Sequence, residues 1–362
     1  MKRTRMLMVG GFLGAGKTTL LWEAARQLAE RGLRVGLITN DQAPDLVDTA
    51  WLAQRGVAVQ EVSGSCFCCN FPGLVSATEN LRQAAEADVL IAEPVGSCTD
   101  LSATLLQPLK DQFATELVLS PLSVVVDPDR LRGVLSGETM LHADAAYILR
   151  KQMEEADVLL LNKIDRLDRL DCEALIHQAR TELDGTEVHQ ISAQLGDGVS
   201  AWLDAMLSRE DAGTKVVEID YDRYANGEAV LGWLNATVQL HSAQPDWETY
   251  ARHLLEALRD RLATAQAAVG HVKLLVSTGG DCCVANLTQS GGPVEVRGQV
   301  AALSDAELTL NARAQMPPAD LESLVNQCLE DAATSGIRWE LRALRCFSPG
   351  RPNPTHRYDH VV

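Results

Sequence analysis

An α/β fold is predicted: a P-loop, doubly wound, mostly parallel sheet followed by a second, C-terminal α+β domain. Three observations carry that prediction. The stretch GGFLGAGKTT (10–19) joins a short apolar run to an amphipathic segment. Short β-branched runs alternate with helical periodicity up to about residue 212, the pattern of strands crossed over by helices. Beyond residue 215 the pattern changes to consecutive runs of alternating polarity, as in an antiparallel sheet.

In chain order the apolar runs predict strands at 6–9, 34–39, 57–62, 88–92, 123–126, 158–161 and 188–191. Between them, 18–31 places Leu20, Leu21, Ala24, Ala25 and Leu28 on one helical face, and 45–55 reads as a second helix. In the C-terminal part VVEID, AVLGWLNATVQL, HVKLLVST, CCVANLT, ELTLNARA and IRWELRAL read as strands, with helices at 246–267 and 318–333 on one face. With 362 residues the chain is long for a single core, so the expected division is 1–212, 213–346 and an extended, Pro-rich tail at 347–362.

Composition narrows the chemistry. A hydrophobic fraction of 46% with 22% charged residues is that of a globular protein. A net charge of −17 argues against a nucleic-acid surface, so an anionic ligand needs its own local pocket. No apolar run approaches the roughly 20 residues of a membrane helix, and the N-terminus breaks into glycine too early for a signal peptide. A cytoplasmic protein is expected, and a homo-oligomer is compatible with the sequence. In a reducing compartment an odd number of cysteines, nine, points to thiols, ligands or packed side chains and not to a disulfide framework.

The strongest motif is GGFLGAGKTT itself. Gly11, Gly16, Lys17 and Thr18 satisfy G-x-x-x-x-G-K-[ST], after a predicted strand and at the start of a predicted helix, the context the motif requires. Gly11, Gly14 and Gly16, with the small Ala15, allow a tight turn whose N–H groups and positive helix end face phosphate. Lys17 is placed to reach the β and γ phosphates, Thr18 to coordinate Mg²⁺, and Thr19 to line the same cradle. A glycine-rich turn without nucleotide is the bland alternative, and the strand and helix on either side weigh against it.

Three further stretches bear on the same ligand. VLLLNKID (158–165) ends an apolar strand with Asn162, Lys163 and Asp165, similar to the N-K-x-D guanine signature. A carboxylate there accepts from guanine N1–H and the 2-amino group, which adenine cannot offer. ISAQLGDG (191–198) carries Ser192 and Ala193, similar to the loop that covers the base. DVLIAEPVGS (88–97) puts Glu93 at a strand end with Gly96 three residues on, where a carboxylate holds Mg²⁺ or its water and a glycine N–H meets the γ phosphate. Asp41, after the second strand, is the other candidate acid near Mg²⁺, although acids also end strands for ordinary reasons.

SGSCFCCN (63–70) concentrates Cys66, Cys68 and Cys69. Three thiolates suit a soft or borderline ion such as Zn²⁺, Co²⁺ or Cu(I). In an extended strand Cys66 and Cys68 face one side and Cys69 the other, so all three converge only if the backbone turns. The alternatives are packing as small hydrophobes and a redox pair. Water, Cys98 or an acid from 41–48 can complete the site. Cys172, Cys282, Cys283, Cys328 and Cys346 fall on predicted elements and read as core, and His356 and His360 are weak accessory ligands in the tail.

Taken in order, GFLGAGKTT, C-x-C-C, E-x-x-G and N-K-x-D resemble the CobW-type GTPases, related to the nickel-handling GTPases of hydrogenase and urease maturation. The resemblance is specific over residues 5 to about 200. It implies slow hydrolysis of GTP to GDP with Mg²⁺, coupled to binding a transition metal, Zn²⁺ or Co²⁺ foremost, and to its delivery to a client metalloprotein or cobalamin-dependent enzyme. Cys66, Cys68 and Cys69 match the family's metal motif, and Lys17, Glu93 and Asp41 fall nearest its catalytic positions. Three departures mark a divergent member: Ser65 where glycine is usual, Asn40-Asp41-Gln42-Ala43 for N-E-F-G, and Glu93-Pro94-Val95-Gly96 for E-T-T-G. A second reading keeps the GTP switch but replaces metal transfer by activation of a cobalamin- or metal-dependent enzyme. Asp165→Asn is expected to move nucleotide preference from GTP toward xanthosine triphosphate, and unchanged GTP affinity in a competition assay would defeat the base assignment.

Overall fold

The computed structural model describes residues 3–44, 46–139, 141–333 and 336–362. The chain runs β1 (Thr4–Gly11), α1 (Lys17–Glu30), β2 (Val35–Asn40), α2 (Val47–Gln54), β3 (Ala58–Val62), α3 (Phe71–Ala84), β4 (Val89–Glu93), α4 (Gln107–Phe113), β5 (Leu117–Leu119), β6 (Ser123–Val126), α5 (Pro128–Ser136), α6 (Ala143–Glu155), β7 (Val158–Leu161), α7 (Arg169–Glu182), β8 (Glu187–Gln190) and α8 (Val199–Ser208). It continues with α9 (Tyr221–Ala229), β9 (Gly232–Ser242), α10 (Trp247–Thr264), β10 (Val269–Thr278), β11 (Asp281–Leu287), β12 (Glu295–Gln299), β13 (Asp305–Ala314), α11 (Pro318–Ala332) and β14 (Ile337–Phe347). Two compact units result: Met1–Gln42 with Val57–Gly227 and Arg351–Val362, and Ala43–Gly56 with Glu228–Gly350.

The first unit is a parallel sheet in the order β3-β2-β4-β1-β6-β7-β8, with β5 paired to the start of β1. Strands such as β4, β6 and β7 are buried along their whole length, which is why they read as continuous apolar runs without alternation. β1 lies between β4 and β6, where the direction of strand succession reverses, the place at which open α/β sheets leave a crevice beyond their carboxyl ends. β5 and β6 share one edge of β1, pairing with Thr4–Met6 and with Val9–Gly11. Three residues of β5 are too few for periodicity to reveal it. VVEID at 216–220, expected as a strand, is irregular. Its β-branched residues have no neighbouring strand to complete a ladder, and propensity without a partner makes no sheet.

The second unit is an antiparallel sheet in the order β12-β11-β10-β13-β9-β14. Alternation divides its two faces. Leu274, Val276, Cys283 and Ala285 join the core formed with α10 and α11 residues such as Leu254, Leu258 and Val325, whereas Leu275 and Val284 pack with Val47 of α2. Polar contacts fix α2 as well. Leu46 precedes it and has no side chain that can cap; the buried Asn311 supplies the missing acceptor, taking the Val47 N–H at 2.8 Å. Asn235 Nδ2 donates to the Pro44 carbonyl at 2.9 Å, and Lys273 Nζ pairs with Asp48 at 2.7 Å. Asp45, the first residue of the expected helix, lies outside the described residues.

Among the described residues no helix is long and apolar enough to cross a membrane. Asn311→Ala leaves the first N–H of α2 without its acceptor in a buried setting, so a loss of about 1–3 kcal/mol is expected in urea unfolding of the full chain; an unchanged midpoint would contradict the capping role.

Candidate functional site

The loop between β1 and α1 is shaped by glycine. Gly11 (φ +129°), Gly14 (φ +76°) and Gly16 (φ +99°) occupy the left-handed side of backbone space. A Cβ on Gly11 would stand 2.3 Å from the Val125 carbonyl oxygen, and one on Gly16 2.4 Å from Asn162 Nδ2. The motif glycines are therefore required by close approach as well as by backbone angle. Lys17 and Thr18 open α1 at its N-terminus, and both are buried. Lys17 Nζ donates to the Phe12 carbonyl at 3.4 Å and lies 3.6 Å from Glu93 Oε1, while Thr18 Oγ1 donates to Glu93 Oε2 at 3.4 Å. Gly96 closes over the same ammonium, since a Cβ there would lie 3.1 Å from Lys17 Nζ and 2.7 Å from Leu13. Thr19, half-buried, follows on α1.

The end of β7 braces this loop. Asn162 Nδ2 donates to the Ala15 carbonyl at 2.9 Å, and its Oδ1 accepts from the Ala193 N–H at 2.9 Å. Lys163, itself at φ +60°, donates from Nζ to the Gly14 carbonyl at 2.9 Å. Asp165 is exposed and accepts from Ser192 Oγ at 2.6 Å. Asn162 and Lys163 thus hold the phosphate loop and the 192–193 loop together and leave the Asp165 carboxylate on the accessible side. The sequence-predicted nucleotide residues from Gly11 to Lys17 and Thr18, with Glu93, Gly96 and the two loops after β7 and β8, are thus linked by contacts at the carboxyl ends of the strands, and Thr19 follows on α1.

The cysteines converge through the turn their spacing demands. The Cys66 carbonyl accepts from the Cys69 N–H (3.0 Å) and the Asn70 N–H (2.9 Å), and Asn70 then caps α3 by accepting from the Gly73 N–H at 3.1 Å. The sulfurs lie 2.9 Å (Cys66–Cys68), 3.2 Å (Cys66–Cys69) and 3.8 Å (Cys68–Cys69) apart, and all are free thiols. Asp41 stands outside this group, which comprises Cys66, Cys68 and Cys69 among the described residues. Its Oδ1 accepts from the Gln42 N–H at 2.6 Å. Hydrogen bonds from the Cys68, Cys69 and Cys98 thiols hold the Cys66 thiol well below the usual range. The same sharing pushes Cys68 well up, and Cys66 beside it raises Cys69 to about 11.

Two further supports hold this loop. Asn40, the last residue of β2, donates from Nδ2 to the carbonyls of Val62 (2.7 Å) and Ser65 (2.8 Å) and accepts the Phe67 N–H at 2.8 Å. The sequence signal for it was that Asn40 keeps the first residue of N-E-F-G while 41–43 depart. The tail, expected as an extended end, is extended and docked. The Asn353 N–H donates to Cys69 Sγ at 3.2 Å, the Thr355 N–H to the Cys68 carbonyl at 2.8 Å, and Arg357 Nε to the buried Asp100 at 2.7 Å. His356 packs edge-on against Phe71, ring centres 4.9 Å apart, and His360 pairs with Asp359, so neither joins the thiols. Asn40→Ala removes the three bonds that Asn40 makes; a fall in Zn²⁺ affinity of about 10- to 100-fold is expected in chelator competition, and unchanged affinity would show that the loop holds without them.

Comparison with known proteins bears on both sites. The family described as CobW/HypB/UreG, nucleotide-binding domain, matches residues 5–190. The zinc chaperone YeiR of Escherichia coli (strain K12) is 29% identical over 171 residues, 45% of this chain and 47% of that protein. The hydrogenase maturation factor HypB of Azotobacter chroococcum mcd 1 is 29% identical over 209 residues, 57% of this chain and 60% of that protein. The chain thus spans about half of one curated relative and three fifths of the other. The solved structure of Zn(II)-bound YjiA GTPase from E. coli aligns at 14% identity with a TM-score of 0.37, covering 91% of this chain and 99% of that one. The family match runs from β1 to the end of β8 and takes in the phosphate loop, the thiol cluster, Glu93 and N-K-x-D, so the chain belongs to the CobW/HypB/UreG nucleotide-binding-domain family.

Proposed function

We propose that the protein is a GTP-hydrolysing metallochaperone or metal-cofactor maturation factor. It holds a transition-metal ion as cargo at Cys66, Cys68 and Cys69 and couples its release toward a client metalloprotein to the state of GTP. The observation that carries this is the convergence of the three thiols, within 4.8 Å of one another, in a chain whose family supplies the nucleotide site. The names of YeiR, a zinc chaperone, and HypB, a hydrogenase maturation factor, support a transition-metal cargo.

Each residue has a definite task in this reading. The glycine-shaped loop and the start of α1 bind the phosphates through backbone N–H groups, and Lys17 neutralises charge on the β and γ oxygens. Thr18 Oγ1 and the Glu93 carboxylate, already in contact, form a hard oxygen pair of the kind that suits Mg²⁺, directly or through its water. When bound, Mg²⁺ supplies charge neutralisation between the β and γ phosphates. Asp165 reads guanine, and Ser192 orients its carboxylate. Glu93 is committed to Lys17 and Thr18 and therefore positions them; Asp41 borders the same crevice at the end of β2.

For the cargo, soft donors select Zn²⁺ or Co²⁺ over Mg²⁺. Sulfurs around a tetrahedral Zn²⁺ stand about 3.8 Å apart, given Zn–S near 2.3 Å, so the present spacing has to open slightly on loading. The alternative, a GTP-dependent activator of a cobalamin- or metal-dependent enzyme without transfer, shares the nucleotide site but leaves the thiol cluster without a task. Substituting Cys66, Cys68 and Cys69 together by Ser is expected to lower Zn²⁺ affinity by at least about 100-fold, beyond what loss of a ligand's supporting residue costs, and equal affinity in wild type and variant would sink the metallochaperone reading. Lys17→Ala is expected to reduce GTP turnover on the order of 10²-fold or more while leaving Zn²⁺ binding in the GDP-free protein intact; full turnover would remove Lys17 from the machinery.

A further inference from the structure

We infer that Cys98 is the fourth ligand of the thiol site, so that the bound ion is tied directly to the loop following β4. This rests on the metal reading above and names what completes the site. Cys98 comes five residues after Glu93 and two after Gly96. Cys98 is 1% exposed, and its thiol interacts with those of both Cys66 and Cys68 from beside the group of three that lie within 4.8 Å of one another.

The backbone around it is fixed without any ion. The Cys98 N–H donates to the Val95 carbonyl at 2.8 Å, and the fully buried Gln152 donates from Nε2 to the carbonyls of Cys98 (2.7 Å) and Gly96 (3.1 Å). One residue on, Thr99 Oγ1 donates to Glu155 Oε1 at 3.0 Å, and the Ser102 N–H donates to Glu155 Oε2 at 3.1 Å. A ligand whose backbone is set in advance costs less ordering when the ion arrives.

Two other side chains weighed for this site have partners of their own: the Asp41 carboxylate takes its neighbour's N–H, and the His356 ring lies edge-on against Phe71. Four thiolates form a closed tetrahedral set. Cys98 meets the cluster on the Cys66 and Cys68 side, and an ion would draw the four sulfurs to about 3.8 Å of one another.

The consequence reaches the nucleotide. Glu93 contacts Lys17 and Thr18, Gly96 closes over the Lys17 ammonium, and Cys98 contacts the thiols, all within one six-residue span. An ion held by Cys98 fixes one end of the segment whose other end meets the phosphates.

The test is X-ray absorption at the zinc edge on the full chain loaded with one equivalent of Zn²⁺, together with Cys98→Ser. Four sulfurs at about 2.3 Å are expected in the wild type and three sulfurs with one oxygen or nitrogen in the variant. Zn²⁺ affinity in the variant should fall by more than the roughly 10- to 100-fold that follows loss of a residue merely holding a ligand. Three sulfurs and a light atom in the wild type would overturn the inference even if the variant did not fold, as would an unchanged sulfur count and affinity in a folded variant. A zinc shell without sulfur would remove the metal reading itself.

Discussion

The architecture of the site depends on one short covalent constraint: six residues, Glu93 to Cys98, leave the end of β4 and pass between the phosphate loop and the thiol cluster. At one end a carboxylate contacts the buried Lys17 ammonium and the Thr18 hydroxyl; at the other a buried thiol meets Cys66 and Cys68. A segment this short, with its carbonyls held by Gln152, cannot rearrange at one end without strain at the other. The neighbouring strand end acts in parallel, because Asn40 at the end of β2 ties the cysteine loop. Communication between nucleotide and thiols therefore needs no long-range wire.

The buried polar groups around this segment make it a defined object instead of a loose loop. Asp100 takes an unusual positive φ of 65°, a conformation an aspartate holds only when its surroundings enforce it. Tyr221 Oη and Arg357 Nε both donate to its Oδ2 at 2.7 Å. Burial pushes the Glu155 carboxyl up to about 8, with the nearby Asp100 charge adding to the effect. It anchors Thr99 and Ser102 at the entrance to the π-helical turn Ser102–Leu106. The tail contributes from the far end of the sequence, with Arg357 on Asp100 and Asn353 and Thr355 on the cysteine loop.

Much of this was legible in the sequence because the physics involved is local. Strands 123–126 and 158–161 coincide with β6 and β7, since fully buried parallel strands announce themselves as apolar runs. The phosphate loop was legible because its backbone angles at 11, 14 and 16 favour glycine, and at 11 and 16 a Cβ would also clash. The turn at Cys66–Asn70 followed from the opposite facing of Cys68 and Cys69 in a strand. What escaped depends on contacts between distant segments. Cys98 stood beside water and the acids of 41–48 as a candidate to complete the thiol site, but nothing near it singles it out as a neighbour of Cys66, thirty-two residues earlier, and nothing in a Pro-rich tail says where it docks. Likewise the grouping of 43–56 with the second unit rests on Asn311, Asn235 and Lys273, polar residues on strands that by themselves read as solvent-facing. β5 and β12 were too short or too polar to stand out, and 216–220 shows the opposite error, β propensity with no strand beside it.

The central claim is that thiol and nucleotide occupancy bias the same six residues, so their free energies are coupled. The direct measurement is a thermodynamic square on the full chain: affinity for a non-hydrolysable GTP analogue with and without Zn²⁺, and for Zn²⁺ with and without the analogue. Coupling of about 5- to 150-fold, equal along both routes as linkage requires, is the predicted result. Affinities that do not change along either route would contradict the account, because the two sites would then share a wall without sharing a switch.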